Sequence, residues 1–225
     1  MPHGSDLKHL QQNATIDYRY EIVRKGIHLF SLSIPTIYFF ISQQLALCLL
    51  LPITAAFIGI DTARYYIPAV SRWFYRWFGW LLRRHETDTN RKQLTGASNV
   101  LISACLCVLL FPKVIAINAF TILIISDTTS ALVGRRFGRH RFLAKSLEGS
   151  LAFFVSAAIV ILIAPKVSRL PAEYVIGIIA AAIGAVVEAL PIRIDDNLSI
   201  PLAVGFSLWG LYMLLLPTLD LALLM

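Results

Sequence analysis

The sequence predicts an all-α, polytopic integral membrane helix bundle, with about seven transmembrane helices and one amphipathic helix at the membrane surface. Of the 225 residues, 57% are hydrophobic and only 15% are charged, and the mean hydropathy is +0.71. A soluble domain averages about half apolar and a quarter charged. Long apolar runs have to be helical here, because only a backbone that satisfies its own hydrogen bonds is stable in hydrocarbon.

The apolar runs define the predicted helices in chain order. Residues 1–20 are polar and form an N-terminal tail, whereas residues 21–225 form a single transmembrane domain. Several of the runs are near the short end of the range that spans a bilayer. The predicted membrane helices are 22–41, 44–64, 96–111, 113–135, 147–164, 172–190 and 199–217.

Residues 68–84 predict a helix that lies in the membrane interface. Three tryptophans recur in this segment at helical spacing, and three arginines fall on another side. An amphipathic helix of this kind buries its aromatic face at the acyl boundary. The residues are Trp73, Trp77 and Trp80 on the first face and Arg72, Arg76 and Arg83 on the second.

The distribution of basic residues predicts the orientation of the bundle. The formal net charge is +7, and 17 of the 20 Lys and Arg residues lie in segments on one side of the predicted membrane. Cytoplasmic loops carry such an excess, so the N-terminus is expected in the cytoplasm and the C-terminus outside. Basic residues in short loops between apolar runs indicate topology and contact with anionic membrane lipids, and nucleic acid is not an expected partner.

Most of the polar residues of interest fall at the cytoplasmic ends of the predicted helices. Carboxylates within or beside membrane helices are costly and mark functional sites. One-sided clustering therefore predicts a site reached from the cytosol. The residues are Asp61, Thr95, Ser98, Asp127, Lys145, Ser146, Glu148, Gly149, Glu188, Asp195, Asp196 and Asn197.

The fourth predicted helix carries a polar stripe near its end. Asp127, Ser130 and Gly134 lie on one helical face, and Gly134 and Gly138 allow a ligand to approach the backbone closely. This pattern suits a metal-bound phosphate chain, and it equally suits a glycine face packed against another helix. The nearby arginines can neutralise phosphates, grip lipid headgroups or only set topology. They are Arg135, Arg136, Arg139 and Arg141.

Two helix starts are candidate anion sites. Thr95 can cap the third predicted helix and Ser146 the fifth, and the free N–H groups of a helix start attract anions. Lys145 adds a point charge beside Ser146. Ordinary capping explains the same residues.

The beginning of the first predicted helix holds Arg24, Lys25 and His28, which the helical spacing places on one face. In the alternative interpretation, Arg24 and Lys25 anchor the helix at the membrane surface and His28 is a hydrogen-bonded histidine within the bundle.

The last acidic group comprises Glu188, Asp195 and Asp196, followed by Asn197. Mg²⁺ usually takes one or two carboxylates together with substrate phosphates. The alternative is a turn that caps the last helix at Asn197 or Ser199.

Taken in order, these motifs resemble the CTP-dependent lipid-alcohol kinases, which include dolichol (polyprenol) kinase, phytol and farnesol kinases and the CTP-dependent diacylglycerol kinase. The resemblance runs from about Arg24 to Pro201 and extends to the membrane cytidylyltransferases that make CDP-diacylglycerol. Where Ser126 to Thr129 stand here, family members often have a Gly-Asp pair or a second small residue. The motifs are Arg24-Lys25-x-x-His28, Asp127-x-x-Ser130-x-x-x-Gly134-Arg135-x-x-Gly138, Lys145-Ser146-x-Glu148-Gly149, Glu188 and Asp195-Asp196-Asn197.

The resemblance implies a kinase that uses CTP and Mg²⁺, with a nucleotide site built from the fourth helix, the basic loop and the start of the fifth. Arg24 and Lys25 are expected to stabilise the transferring phosphoryl group, and Asp61 or Glu188 to accept the proton of the lipid hydroxyl. The expected metal ligands are Asp127, Asp196 and Asp195. The expected nucleotide contacts are Thr95, Ser98, Ser130, Gly134, Arg135, Gly138, Arg139, Lys145, Ser146, Glu148 and Gly149, with His28 and Asn197 nearby.

Two other functions stay open at this point. A cytidylyltransferase would make a CDP-lipid and release pyrophosphate, whereas a kinase releases CDP. A small transporter would also place charges in the membrane, but transporters usually hold them near the midplane in repeated halves. The sequence leaves the lipid alcohol unidentified, whether an isoprenoid or diacylglycerol, and leaves the oligomeric state open, a homodimer included.

Overall fold

Helices make up most of residues 21–82 and 92–221, the part of the chain that the computed structural model describes. A 3₁₀ turn, Gly79–Leu81, follows the fourth helix, and a two-stranded antiparallel sheet of β1 (Arg141–Phe142) and β2 (Lys145–Ser146) lies between the sixth and seventh. The helices are α1 (21–30), α2 (Ser33–Phe40), α3 (Gln43–Tyr66), α4 (Pro68–Phe78), α5 (Gly96–Leu110), α6 (Lys113–Phe137), α7 (Leu147–Ile163), α8 (Pro171–Ala189) and α9 (Asp196–Leu215).

Four of these helices, α3, α6, α8 and α9, are long and apolar enough to cross a membrane. The chain is therefore a membrane protein of mainly helical structure. Helices α5 and α7 are equally apolar but have 15 and 17 residues, at or below the shortest length that usually spans a bilayer. Seven spans stay a prediction.

The first predicted membrane helix is interrupted. Residues 31–32 form a turn between α1 and α2. Pro35 has no N–H to donate to the carbonyl of Ser31, and that carbonyl instead accepts from the Ile34 N–H at 3.0 Å. The missing donor explains why a continuous helix over 22–41 was a wrong prediction.

The predicted interfacial helix ends earlier than residue 84. Helix α4 stops at Phe78, and Gly79, a poor helix former, begins the 3₁₀ turn that contains Trp80. Residues 83 and 84 lie outside the described part of the chain. Trp73, Trp77 and Trp80 are 49%, 63% and 51% exposed, as expected for a membrane-facing side.

Helix α6 is the centre of the bundle and packs against α2, α5, α7 and α9. Its residues Ile115, Ile122 and Leu123 are fully buried. Small residues let the outer helices approach closely: a Cβ added to Gly184 of α8 would lie 2.8 Å from Val204 of α9. The central position of α6 brings its polar second half between the ends of the other helices.

Candidate active site

A buried ion pair joins α1 to α6. Lys25, only 4% exposed, donates to the carboxylate of Asp127 and, at 3.3 Å, to its backbone carbonyl. His28 Nε2 lies 3.5 Å from the same carboxylate. Lys25 and His28 are three residues apart, so both side chains reach Asp127 from adjacent turns of α1.

Arg24 lines the same cavity, of about 520 Å³, as Lys25 and His28, but it has a different partner. Consecutive helical residues are about 100° apart, so Arg24 and Lys25 do not both reach Asp127. Arg24 Nη2 instead donates to Glu21 Oε1 at 2.5 Å. Arg135 at the end of α6 lies 3.1 Å from the other Glu21 oxygen. Glu21 thus ties α1 to the end of α6.

A second buried cluster centres on Glu188 at the end of α8. Its Oε1 accepts from Ser130 Oγ at 2.8 Å and from Lys145 Nζ at 2.7 Å, and Ser150 Oγ lies 3.4 Å from Oε2. Lys145 also donates to Asp196 Oδ2 at 2.9 Å. The cluster therefore joins side chains from α6, β2, α7, α8 and α9.

Lys145 is the cation of this cluster that solvent can reach, since its side chain is one-third exposed. Burial lowers the pKa of Lys145, but the carboxylates of Asp196 and Glu188 outweigh that effect and raise its pKa above the ordinary value. Lys145 therefore stays a cation at neutral pH. The two clusters are linked through α6, which carries both Asp127 and Ser130.

The β1–β2 hairpin positions Lys145. Leu143 adopts a left-handed backbone with φ 52°, and the Ala144 N–H donates to the carbonyl of Ala189 at 3.0 Å. This contact fastens the hairpin to the end of α8, beside Glu188. Sequence reasoning treated this stretch as a basic loop and missed the hairpin.

Helices α6 and α7 touch through glycines next to the hairpin. A Cβ on Gly134 would lie 2.9 Å from Ser146 Oγ and 3.4 Å from Gly149 Cα. A Cβ on Gly138 would lie 2.8 Å from Ser146 Oγ. Gly134 and Gly149 therefore pack against each other, as the alternative interpretation of the stripe held, and they keep β2 close to α6.

A third network lies at the adjoining ends of α3 and α5. Asp61 Oδ2 accepts from the Thr95 N–H at 2.8 Å, Thr95 Oγ1 at 2.8 Å and Ser98 Oγ at 2.6 Å. Arg64 Nε lies 3.5 Å from Asp61 Oδ1. Asp61 thus holds the start of α5, and Thr95 and Ser98 are its hydrogen-bond partners.

The two predicted helix caps are both present. Ser98 N–H donates to Thr95 Oγ1 at 3.4 Å, and Gly149 N–H donates to Ser146 Oγ at 3.2 Å. Because these N–H groups are used within the fold, the contacts favour capping over anion binding at the two helix starts.

Several predicted nucleotide contacts lie away from the buried clusters. Arg139 is exposed. Glu148 accepts from His140 Nδ1, at 2.8 Å, on the outer side of the hairpin. Arg135 is 43% exposed and faces Glu21. Any contact of these residues with phosphate would come from the solvent side of the site.

The three predicted metal ligands have different environments. Asp127 is paired with Lys25 and Asp196 with Lys145, whereas Asp195 caps α9 and accepts from Asn197 N–H at 2.9 Å and Nδ2 at 2.6 Å. Within residues 21–82 and 92–221, no three His, Cys, Asp or Glu side chains form a metal-binding group. Without Asp195, the predicted metal ligands are the two carboxylates of Asp127 and Asp196. Two carboxylates fit a Mg²⁺ ion that takes its other ligands from phosphate and water.

Sequence reasoning missed Glu21, Arg64 and Ser150 as site residues. The signal for Glu21 was available, since Glu21 and Arg24 stand three residues apart at the start of a helix. The pairing of Glu21 with Arg135 and the stacking of Arg64 on Phe74, at 4.8 Å, depend on the tertiary fold. Local spacing carries no information on such contacts.

The fold and these clusters define a membrane protein with a charged, hydrogen-bonded site at one end of a helix bundle. The chain is 31% identical over 169 residues to CTP-dependent diacylglycerol kinase 1 of Schizosaccharomyces pombe, covering 68% of this chain and 75% of that protein. It is 33% identical over 195 residues to an uncharacterized protein of Rickettsia prowazekii, covering 86% of this chain and 95% of that protein. An uncharacterized protein of Methanocaldococcus jannaschii is 32% identical over 196 residues, covering 83% and 91% respectively.

The chain therefore belongs to the family that includes the CTP-dependent diacylglycerol kinase of S. pombe. No family model matches the chain. No solved structure matches it either.

Proposed function

We propose that the protein is a kinase that transfers the γ-phosphate of CTP to the hydroxyl of a lipid alcohol. The observation that carries this proposal is the linked pair of clusters, Lys25–Asp127 and Lys145–Glu188–Asp196, in a chain related to a CTP-dependent lipid kinase. Phosphoryl transfer needs positioning and charge neutralisation more than covalent chemistry. Lys25 and Lys145, each held by a carboxylate at the end of the membrane helices, supply both the positioning and the charge neutralisation.

We assign each residue of the two clusters a separate role in the reaction. Lys145, which solvent reaches, binds the phosphate chain. Glu188, which accepts a hydrogen bond from Ser130, holds the ammonium group of Lys145 in place. Lys25 faces the transferring γ-phosphoryl group from the other side. Asp127 and Asp196 would hold Mg²⁺, and the bound ion would neutralise charge on the phosphate oxygens.

The chemical step is a single displacement. The lipid oxygen forms a bond to the γ-phosphorus, the bond from that phosphorus to the β-phosphate oxygen breaks, and CDP leaves. The hydroxyl proton passes to a carboxylate. Of the two candidates predicted from the sequence, Asp61 lines the cavity of about 520 Å³ that Lys25 and Asp127 also line, and Glu188 does not, so we assign the proton to Asp61.

The site is proposed to face the cytoplasm. Its residues adjoin the segments that carry 17 of the 20 basic side chains, and CTP is an aqueous substrate. The excess of Lys and Arg on that side supports the assignment.

Phosphate transfer tests the proposal directly. Purified protein in proteoliposomes would receive Mg²⁺, γ-labelled CTP or ATP, and a panel of diacylglycerol, phytol and polyprenol. We expect label in one lipid from CTP, with release of CDP. Release of pyrophosphate and formation of a CDP-lipid would instead establish a cytidylyltransferase, and label from ATP alone would overturn the cytidine assignment. Absence of labelled lipid with every donor, in folded protein, would overturn the kinase.

The glycine contact between α6 and α7 gives a second test. In Gly134→Ala the new methyl group would push Ser146 and thereby displace Lys145, so KM for CTP is expected to rise about tenfold while KM for the lipid stays constant. Gly210→Ala is the matched control, because nothing lies within 4 Å of a Cβ at that position. Equal KM values for CTP in the two variants would contradict this account.

A further inference from the structure

Helix α4 is too short to cross a membrane, and it directly follows a helix that is long enough. Its 11 residues extend over about 16 Å, roughly half of the hydrocarbon thickness of about 30 Å. Only Ile67 separates α4 from α3. Helix α3 ends with Tyr65 and Tyr66, and tyrosine is a residue type enriched where a membrane meets water. Helix α4 therefore lies at the membrane surface.

The exposed sides of α4 carry two kinds of side chain. Phe74 is buried against the bundle, whereas Trp73 and Trp77 are exposed. Arg72 and Arg76 are also exposed, and each stands two residues from Phe74, which is about 160° round the helix axis. The arginines thus face away from the bundle, and the tryptophans lie between the arginine side and the buried side.

The arginine side of α4 presents positive charge that the fold does not neutralise. Arg72 and Arg76 are one helical turn apart and share a face, and within residues 21–82 and 92–221 neither forms an ion pair. Exposed tryptophans beside arginines suit a helix whose aromatic rings enter the acyl boundary while its basic groups meet anionic headgroups. Guanidinium groups also bind phosphate oxygens in a bidentate manner. This face therefore fits the phosphate groups of anionic phospholipids.

Arg64 connects the buried side of α4 to the candidate active site. Its guanidinium stacks on Phe74 at 4.8 Å, and it donates to the Asp61 carbonyl at 3.3 Å and the Gln93 carbonyl at 3.0 Å. The Asp61 carboxylate in turn accepts from Thr95, which caps α5. Because the side chain of Arg64 is fully buried, a shift of α4 would also shift Asp61 and the start of α5.

Helix α4 also forms part of the wall of the cavity beside Lys25. Trp73 and Phe78 line this cavity from α4, and Gly96 and Ala97 line it from the start of α5. Trp73 is therefore shared between the lipid-facing side of α4 and the cavity. The position of α4 at the membrane surface determines the shape of this wall.

We propose that α4 docks on anionic phospholipids, with Arg72 and Arg76 against their phosphate groups and the tryptophans in the acyl boundary. This contact holds Asp61 and the cavity wall in the position that turnover requires. The two arginines lie outside the cavity, so the docked lipid is an activator and not a substrate. The docking surface stands apart from the reaction, whereas its effect on turnover rests on the proposed function.

Tryptophan quenching measures docking without catalysis. The chain has four tryptophans, so Trp209→Phe leaves Trp73, Trp77 and Trp80. This protein in proteoliposomes would be titrated with brominated phosphatidylserine, which is anionic and has no hydroxyl to phosphorylate, or with brominated phosphatidylcholine. We expect an apparent affinity about tenfold higher for phosphatidylserine. The preference should disappear at about 1 M salt, where the Debye length is about 3 Å.

Substitution of the two arginines tests their assignment. Arg72→Gln, Arg76→Gln removes both charges from an exposed face, so the preference for phosphatidylserine should fall to about twofold or less. Arg72→Lys, Arg76→Lys keeps the charges and should keep the preference. Arg169→Gln, Arg193→Gln is the matched control, because it changes the net charge equally at exposed positions outside α4. Its preference should equal that of the unaltered protein.

Turnover tests the connection to the active site. With the lipid alcohol that the transfer assay identifies, phosphatidylserine in place of phosphatidylcholine should raise kcat about fivefold, the low end of typical coupling between two sites. The rise should be absent in Arg72→Gln, Arg76→Gln, with KM for CTP unchanged. Phe74→Leu removes the stacking on Arg64 and leaves both arginines in place. It should therefore keep the lipid preference and lose the rise in kcat.

The outcomes separate docking from catalysis. Equal quenching by the two lipids would overturn the docking surface, and a preference that survives in Arg72→Gln, Arg76→Gln would overturn its assignment to α4. A preference without a rise in kcat, in protein that transfers phosphate, would overturn the effect on turnover. A preference in folded protein that transfers no phosphate would uphold the docking surface and overturn the kinase reaction.

Discussion

Asp127→Asn is expected to lower kcat for phosphoryl transfer by at least about 100-fold, because one substitution removes a negative charge that serves three groups. Asp127 neutralises buried Lys25, lies 3.5 Å from His28 and is the proposed metal ligand that lines the cavity beside Lys25. Asparagine keeps the size of the side chain, so the loss would be one of charge. Near-normal turnover in folded Asp127→Asn protein would rule out the proposed arrangement.

The same variant should also be less stable. It leaves the ammonium group of Lys25 buried without its partner, and breaking a buried pair in this way costs about 3–5 kcal/mol. Cys105 and Cys107 are buried free thiols and Cys48 is an exposed one, so a thiol-reactive dye reports unfolding on heating as labelling beyond that of Cys48. The double variant Asp127→Asn, Lys25→Met removes both charges, and we expect it to recover much of the stability without recovering activity. Recovery of activity in the double variant would show that the pair is structural only.

Lys145→Met is expected to raise KM for CTP about 100-fold and to leave KM for the lipid alcohol within about twofold. Methionine keeps the length and apolar stem of lysine but removes the charge that meets the phosphate chain. The split between the two KM values is informative, because general unfolding would change both. Isothermal titration with CTP in detergent measures the loss without turnover.

Lys113→Met is the matched control for Lys145→Met. Lys113 stands at the opposite end of α6, where it lies 5.5 Å from the Tyr38 ring, and it contacts neither cluster. Its KM for CTP should equal that of the unaltered protein. A similar rise in both variants would mean that net charge, and not the position of Lys145, governs nucleotide affinity.

The sequence predicted the parts of the site better than their pairing. Asp127, Lys145 and Glu188 could be singled out because charged groups are costly in apolar runs. The pairing of Lys25 with a carboxylate 102 residues away depends on how α1 packs against α6, and no local spacing encodes that packing. The same limit applies to Glu21 and Arg135.

The helix boundaries also divide into those that a local sequence signal predicts and those that depend on the rest of the fold. The caps at Thr95 and Ser146 were predictable, since a small hydroxyl residue before an apolar run has a local mechanism. The last helix begins at Asp196 with Asp195 as its cap, three residues before its predicted start, because acidic side chains there serve the helix start as well as the site. The hairpin required a left-handed Leu143, a conformation that leucine rarely adopts and sequence patterns do not predict.

Phe30 and Trp73 line the cavity beside Lys25 and are exposed, so the cavity is open at the side that faces lipid. Under the proposed function this opening determines which concentration of the lipid substrate controls the rate. An acceptor that arrives from the side never leaves its leaflet, so its supply is set by its density in the plane of the membrane, and the volume of the surrounding solution does not matter. Under the proposed function the nucleotide would arrive through three dimensions and the lipid through two, and neither substrate would have to cross into the other's phase to reach Asp127.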